Sequence, residues 1–117
     1  MPRDRFLSSL GIAKKAGKII AGSNMVASYI RNDNIPALVI LSCDASGNTR
    51  KLVHDVCRYR NVTLEDTEYS MDALANAIGA LHPVSCVAIT DTGLANMLRE
   101  KLLANVSQGG MTADGRF

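Results

Sequence analysis

Apolar residues follow two different spacings along this chain, one typical of helices and one typical of buried strands. Short runs such as Ala37–Ser42 and Cys86–Thr90 are apolar at nearly every position, which indicates strands that are covered on both faces. The stretches between such runs repeat their apolar residues every three or four positions, which indicates amphipathic helices. The pattern therefore predicts strands that alternate with helices.

Five stretches have the amphipathic pattern of a helix. The first is predicted from about Arg3 to Ala16, with Gly17 able to take the left-handed conformation that ends a helix. The predicted starts of the other four are Gly22 or Ser23, the loop Asp44–Thr49, Ser70, and Thr90 or Asp91. The apolar stripes are Phe6, Leu7, Leu10 and Ala13; Met25, Val26, Tyr29 and Ile30; Leu52, Val53, Val56 and Cys57; Met71, Leu74, Ala75 and Ile78; and Leu94, Leu98 and Leu102.

Strands are predicted between these helices, at Lys18–Ala21, Ala37–Ser42, Asn61–Glu65 and Cys86–Thr90. Helices and strands that alternate through short connections are typical of an α/β fold, here a three-layer α/β/α sandwich around a mixed sheet of about four strands. Residues 1–104 are expected to form this single domain. Residues 105–117 show no apolar period and are expected to form a flexible tail.

Charge is divided unevenly between the two halves of the chain. Residues 1–60 contain ten Lys or Arg and four Asp or Glu, a net charge of +6, whereas residues 61–117 contain three and seven, a net charge of −4. This division predicts either a basic face for a polyanionic partner or two differently solvated surfaces without a partner. Charge alone does not choose between them.

Other features limit the possible classes of function. The cysteines Cys43, Cys57 and Cys86 are widely spaced, so buried thiols are expected rather than disulfides or a zinc site. A charged start and the lack of an apolar run of about 18 residues favour a cytoplasmic protein without a membrane segment. No enzyme motif is present, and neither His54 nor His82 is paired with a nucleophile. No catalysis, metal or cofactor is therefore expected.

Two further clusters could carry chemistry, but each has a simpler structural role. Glu65, Asp66 and Glu68 lie in the connection after the third strand and could supply a carboxylate pair, although a solvated turn is the expected role. The loop Asp44–Thr49 could bind an anion at a helix N-terminus, although capping that helix is the expected role.

The most informative segment is Ala13–Asn24, AKKAGKIIAGSN, which places three lysines and two glycines around the start of the second helix. The N–H groups at a helix start are unpaired and carry a partial positive charge, and Gly22 would let a bulky ligand approach them. Asn24 can hydrogen-bond a base edge while the lysines neutralise phosphates. Alternatively, the glycines only make turns and the lysines are solvated.

This segment resembles the superfamily of ribosomal proteins that bind kink-turns in folded RNA, in particular its short bacterial ribosomal-protein-like branch. The resemblance extends over about residues 6–104. It rests on four blocks that agree in order and spacing: LGIAKKAGKIIAGSN, LVILSCDASGNTRKL, LANAIG and CVAITD. It implies a three-layer α/β/α fold, no catalysis, and recognition of RNA by two surface segments.

The resemblance also indicates where RNA would be contacted. In the family, the segment that opens the second helix enters the major groove beside sheared G·A pairs, and the loop before the last strand meets flipped-out bases. The residues expected at the interface, from the segment itself and from the resemblance, are Lys14, Lys15, Gly17, Lys18, Gly22, Ser23, Asn24, Met25 and Ser28, and, in the loop, Ala80, Leu81, His82, Pro83 and Val84. Met25 stands where the family often has Glu, and Ser28 where it often has Lys. Both departures predict weaker kink-turn binding, by about tenfold or more.

Three functions are open on the sequence alone. The first is an RNA-binding protein of translation or ribosome assembly, which binds ribosomal or other structured RNA as a monomer. The second is a protein-interaction module that kept the fold but lost RNA specificity, which Met25 and the acidic second half favour. The third is an enzyme domain that grips a substrate RNA, but the chain is short for an additional catalytic domain.

Overall fold

The computed structural model describes residues 4–110, and the side chains of residues 4–104. Its elements in chain order are α1 (Arg5–Lys15), β1 (Ile19–Ala21), α2 (Ser23–Arg31), β2 (Leu38–Leu41), α3 (Gly47–Tyr59), β3 (Leu64–Asp66), α4 (Met71–Ile78), β4 (Cys86–Ile89) and α5 (Thr92–Gly110). Every helix and strand that the sequence predicts is present, with ends that differ by a few residues. The predicted start of α1 at Arg3 lies outside the described residues.

The sheet is mixed, with the strand order β1-β4-β2-β3. β4 is antiparallel to both of its neighbours, whereas β2 and β3 are parallel. β1, β2 and β3 therefore end at the same edge of the sheet, at Ala21, Leu41 and Asp66, and β4 begins there at Cys86. We call this edge the carboxyl end of the sheet and the opposite edge the amino end. The predicted mixed sheet of four strands is confirmed.

Helices cover both faces of the sheet, which confirms the three-layer α/β/α sandwich. One core packs α1, α4 and α5 against the sheet, and the other packs α2 and α3 against its opposite face. Their fully buried side chains include Phe6, Leu10, Leu38, Ile40, Leu74 and Leu98 in the first core and Val26, Ile30, Val39, Leu41 and Val53 in the second. Every residue of β2 and β4 is buried, as their unbroken apolar runs predict.

Short polar side chains start most of the helices. Asp4, Ser46, Ser70 and Asp91 each accept a hydrogen bond from the backbone N–H three residues further on, at 2.8–3.2 Å. Asp91 rather than Thr90 therefore caps α5. Gly17 follows the end of α1 with φ 74°, as predicted.

The third strand begins later than the sequence predicts. Asn61 has φ 57°, and the N–H of Val62 donates to the carbonyl of Cys57 at 2.8 Å. These residues therefore close the end of α3 instead of extending β3, which starts at Leu64. A hydrophobic pattern does not detect this turn, because Val62 is buried in either arrangement.

The last helix extends beyond the predicted domain boundary. α5 continues to Gly110, whereas the sequence places the end of the domain at residue 104. No proline follows Pro83 to interrupt the helix after its last buried residue. The flexibility of residues 105–117 stays a prediction, and residues 111–117 lie outside the described part of the chain.

Gly11 sits where α1 passes close to α4. A Cβ atom at this position would lie 2.9 Å from the carbonyl oxygen of Ala77, which is too close for an unmoved backbone. We expect Gly11→Ala to lower the free energy of unfolding by about 1–3 kcal/mol, as overpacking does in other cores. Urea denaturation measures the effect, and Gly47→Ala is the matched control.

Gly47 is also helical, in α3, but no atom lies within 4 Å of its added Cβ. Gly47→Ala should therefore be neutral or stabilise by about 0.4–1 kcal/mol, because it only restricts the unfolded chain. Equal effects of the two substitutions would contradict the close α1–α4 contact.

Candidate functional site

Four helices begin at the carboxyl end of the sheet. α2, α3 and α4 each follow a strand that ends there, and the Tyr69 hydroxyl ties the start of α1 to the same edge by donating to Asp4 at 2.7 Å. Each helix start carries the positive end of a helix dipole. This edge therefore combines several partial positive charges, and of the described helices only α5 begins at the opposite edge.

The start of α2 is the one among these four that no side chain caps. Gly22 occupies its N-cap position with φ 100° and ψ 138°, a conformation that suits glycine, and it offers no side-chain acceptor. Nothing lies within 4 Å of where a Cβ atom would stand on Gly22. We call Gly22–Met25 the α2 tip. Its first-turn N–H groups have no side-chain cap and could donate to a ligand.

The side chains of the α2 tip are largely exposed. Asn24 is exposed, whereas Gly22 and Ser23 are half-buried. Ser28, one turn further along α2, is exposed as well. Met25 is 63% exposed, so its predicted place on the apolar stripe of α2 is wrong. The buried face consists of Val26, Ala27 and Ile30, since Ala27 rather than Met25 turns toward α3 and the sheet.

The loop of residues 80–85 comes back to the same edge of the sheet. The N–H of Val84 donates to the carbonyl of Met71 at 3.2 Å, and the Ser42 N–H donates to the carbonyl of Ser85 at 2.8 Å. The next carbonyl, that of Cys86, accepts the Gly22 N–H at 2.8 Å. The start of α2 and the 80–85 loop, the two segments predicted to contact RNA, therefore lie side by side in the structure.

Side chains of this 80–85 loop divide into exposed and anchoring ones. Leu81 is 94% exposed, and His82 and Pro83 are exposed as well. Ala80 is half-buried against the core. Val84 is only 6% exposed and packs in the first core, so its side chain anchors the loop. The expectation that the Val84 side chain faces a ligand is therefore wrong.

The lysines of the predicted interface lie at the other end of β1. Lys18 precedes the strand, and its carbonyl accepts the Thr90 N–H at 3.0 Å, whereas Gly22 follows the strand. At about 3.3 Å per residue, their Cα atoms are roughly 13 Å apart. Lys14, Lys15, Gly17 and Lys18 are all exposed. They border the α2 tip along β1 but do not surround it.

The chain segment that forms β1 and its flanks contains no carboxylate. No Asp or Glu occurs from Phe6 to Asn32, and β1 is an outer strand of the sheet. Asp66 ends the opposite outer strand, three strand spacings or roughly 14 Å away. We call residues 14–24 the β1 edge. Within the described side chains, its three lysines form no ion pair, so their charge is available to a ligand.

The predicted basic face is thus narrower than the charge of the first half suggests. Several of its cations are neutralised by carboxylates on neighbouring elements. These pairs are Arg50–Asp66, Lys51–Asp55, Arg58–Asp55 and Arg60–Asp33. Among the described side chains of this half, three of the five unpaired cations lie on the β1 edge, and the other two are Arg5 and Arg31.

Arg50 is a structural residue of this region that the sequence does not reveal. Its guanidinium donates to Asp66 at 2.8 Å and to the carbonyls of Ser42 and Cys43 at 3.2 and 3.3 Å. These contacts hold the loop after β2 against the end of β3. No local pattern could predict them, because the parallel pairing of β2 and β3 creates the contact.

The three thiols occupy different environments. Burial raises the pKa of Cys57 to about 11 and also raises the pKa of Cys86, so both are neutral thiols at physiological pH. Cys43 is exposed, which corrects the expectation that all three are buried. β2 ends at Leu41, and the Cys43 thiol donates to the carbonyl of Glu68 at 3.4 Å.

Neither a metal-binding cluster nor a membrane-crossing helix occurs in the described part of the chain. Among residues 4–104, no three His, Cys, Asp or Glu side chains are grouped so that they could hold a metal ion. None of the helices described here has both the length and the apolarity that a bilayer crossing requires.

Comparison of the sequence with known proteins gives two kinds of match. Residues 4–99 match the "Ribosomal protein L7Ae/L30e/S12e/Gadd45 family". A protein of Bacillus subtilis (strain 168), named "RNA-binding protein YlxQ", is 43% identical over 89 residues, which are 76% of this chain and 86% of that protein. The protein of the same name from Enterococcus faecium is 32% identical over 98 residues, which are 84% of this chain and 91% of that protein.

Solved structures show the same fold. A Bacillus halodurans protein described as having unknown function superimposes with a TM-score of 0.76 at 28% identity, covering 86% of this chain and 98% of its own. The Giardia lamblia "15.5kD RNA binding protein" superimposes with a TM-score of 0.65 at 21% identity, covering 84% of this chain and 82% of its own. The second match is evidence of the fold alone.

Proposed function

The chain belongs to the ribosomal protein L7Ae/L30e/S12e/Gadd45 family, and on that basis we propose that it is a non-catalytic protein that binds structured RNA. The observation that carries the proposal is the uncapped α2 tip, which lies open beside the 80–85 loop. Relatives named as RNA-binding proteins support it. We further propose that it acts as a cytoplasmic monomer on ribosomal or other translation-associated RNA.

The α2 tip offers the groups that a nucleic acid requires. Backbone N–H groups at a helix start donate to phosphate oxygens, with the helix dipole adding to the attraction. The exposed amide of Asn24 can donate to one atom of a base edge and accept from another. The absence of a Cβ on Gly22 lets the sugar-phosphate backbone come close.

The 80–85 loop supplies a different kind of contact. Leu81, His82 and Pro83 present an exposed apolar and aromatic surface next to the α2 tip. Unpaired bases are recognised by stacking against such side chains, whereas paired bases are not accessible to them. The combination favours an RNA in which paired and flipped-out bases are adjacent, as in a kink-turn.

Recognition of a kink-turn is the finer part of the proposal, and a direct comparison tests it. Gel-shift titrations of a kink-turn duplex and a plain duplex of equal length, each over a range of salt, should give tighter binding to the kink-turn at every salt concentration. Equal and salt-labile affinities for the two duplexes would contradict recognition of the kink-turn and would support only electrostatic binding of RNA. No binding to either duplex would contradict the proposed binding of structured RNA.

Met25 and Ser28 allow a gain of function to be tested. Both are exposed, so Met25→Glu with Ser28→Lys should not disturb the core. The pair restores an acceptor and a cation that the family often has at these positions. We expect kink-turn affinity to rise by about tenfold or more in the same gel-shift assay, because a good base contact has an energy of about 1–3 kcal/mol. An unchanged preference would mean that another RNA element is bound.

Lys18 is expected to contribute charge without selectivity. The logarithm of affinity falls linearly with the logarithm of salt concentration, with a slope of about 0.7–0.9 per phosphate neutralised. Lys18→Ala should reduce that slope by about one such contact for both duplexes. Lys51→Ala is the matched control, since Lys51 is exposed but paired with Asp55 on α3. Identical slopes for both variants would exclude Lys18 from the interface.

A second function is favoured by exposed apolar side chains at the same edge. Met25 is 63% and Leu81 94% exposed, and a protein partner could cover both. Light scattering of the purified protein distinguishes the two functions. A stable homodimer that is disrupted by Leu81→Ser would mean that the α2 tip serves a protein interface, whereas a monomer keeps it available for RNA.

A further inference from the structure

A second concave surface lies between α2 and α3, at the amino end of the sheet. It is a cavity of about 280 Å³, which we call the Tyr59 cavity, and its walls are Ile30, Arg31, Asp55, Val56, Tyr59 and Arg60. Both helices start at the carboxyl end and run back toward the amino end. Because the 13 residues of α3 extend roughly 20 Å, this cavity is separate from the α2 tip.

Tyr59 gives the cavity an exposed aromatic wall. Tyr59 is 80% exposed, whereas Phe6 is buried and Tyr29 and Tyr69 are half-buried, so it is the most exposed Phe or Tyr of residues 4–104. The guanidinium carbon of Arg60 lies 5.3 Å from the ring centroid. Arg60 is in turn held by an ion pair with Asp33. Arg60 is therefore held beside the ring of Tyr59, and most of the surface of Tyr59 is exposed to solvent.

The remaining walls combine an apolar floor with a charged rim. Ile30 and Val56 are 1% and 8% exposed and form the floor. Arg31 is exposed and has no ion pair with any described side chain, which leaves its guanidinium available to an anion. The carboxylate of Asp55 adds hydrogen-bond acceptors, and its pKa is lowered by the hydrogen bond from Lys51.

The net charge around the cavity favours an anionic ligand. Arg31, Arg58 and Arg60 outnumber Asp33 and Asp55, and arginine can bind phosphate through two parallel hydrogen bonds. The volume is just below the range of about 300–1,000 Å³ that is typical of small-ligand pockets. It suits one flat ring system and is too small for a peptide helix.

We propose that the Tyr59 cavity holds one unpaired nucleotide of a single-stranded RNA segment, with its base stacked on Tyr59 and its phosphate on Arg31. Stacking of a base on an aromatic ring tolerates any base, and the arginine supplies the backbone contact. Asp55 accepts from an N–H group of the base. This second site goes beyond the function proposed above, because it binds single strands and lies at the opposite end of the molecule.

A short single strand tests the proposal without any folded RNA. Fluorescence anisotropy of a fluorescein-labelled adenosine hexamer at low salt measures the affinity of the full-length protein and its variants. We expect Tyr59→Ala to weaken binding by about fivefold to a hundredfold, and Tyr59→Phe to stay within about twofold, because the ring provides the stacking. Leu103→Ala is the matched control, since Leu103 is also exposed but lies on α5.

A second oligomer tests whether the base is what Tyr59 contacts. An abasic hexamer keeps the phosphates but offers nothing to stack, so Tyr59→Ala should leave its weaker binding unchanged. Equal loss of affinity for both hexamers would overturn the stacking. No binding of the adenosine hexamer to the unsubstituted protein, or no effect of Tyr59→Ala on it, would overturn the site.

Two further arms distinguish the Tyr59 cavity from the α2 tip and from a protein-binding surface. Asn24→Ala should not change hexamer binding, and a loss that Asn24→Ala causes and Tyr59→Ala does not would place the strand at the α2 tip and overturn the proposal. A glutamate-rich peptide that displaces the hexamer at equal concentration would identify a protein ligand and overturn it as well. Failure of the kink-turn duplex to bind would contradict the proposed function alone, since the hexamer assay does not depend on it.

Discussion

Asn24→Ala is expected to remove the preference for a kink-turn over a plain duplex and to lower kink-turn affinity by about tenfold or more. The reason is that Asn24 carries the only amide side chain of the α2 tip, which can donate and accept side by side at a base edge, and such a paired contact contributes about 1–3 kcal/mol. The phosphate contacts of the backbone N–H groups would persist, so residual binding should become salt-labile and unselective.

The stability of the Asn24→Ala variant should be nearly unchanged. Asn24 is exposed, and its side chain makes no hydrogen bond with any described residue. Exposed substitutions of this kind usually change the free energy of unfolding by less than about 0.5 kcal/mol. Thermal unfolding checks this, and a large fall in melting temperature would instead mean that Asn24 supports the fold.

Asn48→Ala is the matched control for this prediction. Asn48 is the second residue of α3, as Asn24 is of α2, and it is exposed at the same end of the sheet. The two helix starts differ in that Ser46 caps α3. With β2 two strand spacings from β1, or roughly 10 Å, Asn48→Ala should leave selectivity intact. If both variants lose selectivity equally, the interface is centred on the whole carboxyl end rather than on the α2 tip.

The fold could be predicted largely because its central strands are apolar at every position. β2 and β4 are buried throughout, and only a sheet covered on both faces requires that. The third strand is harder to place, because Asn61 takes a left-handed conformation that no local composition rule demands. Its start depends on how α3 ends, which is a backbone property rather than a pattern of side chains.

The candidate site could be predicted only in part, because closeness along the chain is not closeness in space. Lys18 and Gly22 are four residues apart, yet β1 separates them across the whole sheet. Gly22 and Cys86 are far apart in the chain, yet a hydrogen bond joins them. Spacing in a sequence gives neighbours reliably within a helix, whereas a short strand places its two flanks at opposite edges.

The resemblance predicts which two segments contact RNA but could not assign the orientation of each side chain in them. Val84 is buried because the loop must be fastened to the core before β4 starts. Met25 is exposed because the inward face of α2 is taken by Val26 and Ala27. The position of a residue in a motif therefore predicts its neighbourhood, and packing decides whether it points outward. Contacts of the remaining residues with RNA stay predictions.

Phe6 connects the first core to the edge that carries the candidate site. It is fully buried, and its ring stacks on Tyr69 with centroids 5.0 Å apart and planes inclined by 12°. The Tyr69 hydroxyl donates to Asp4, the residue that caps α1, and the backbone carbonyl of Tyr69 accepts the Cys43 N–H at 2.9 Å. The stack therefore supports both the start of α1 and the loop after β2.

Phe6→Ala should consequently be the most destabilising of the substitutions considered. Truncation of a buried phenylalanine costs about 3–5 kcal/mol, and domains of this size are stable by about 5–15 kcal/mol in total. Urea denaturation should show a lower midpoint with an unchanged slope, while Ile12→Ala, an exposed position on the same helix, should have little effect. At low temperature, where Phe6→Ala stays folded, kink-turn binding should be retained, because neither the α2 tip nor the 80–85 loop contains Phe6. Loss of binding by the folded variant would mean that the stack positions the interface, and a small change in stability would contradict the burial of Phe6.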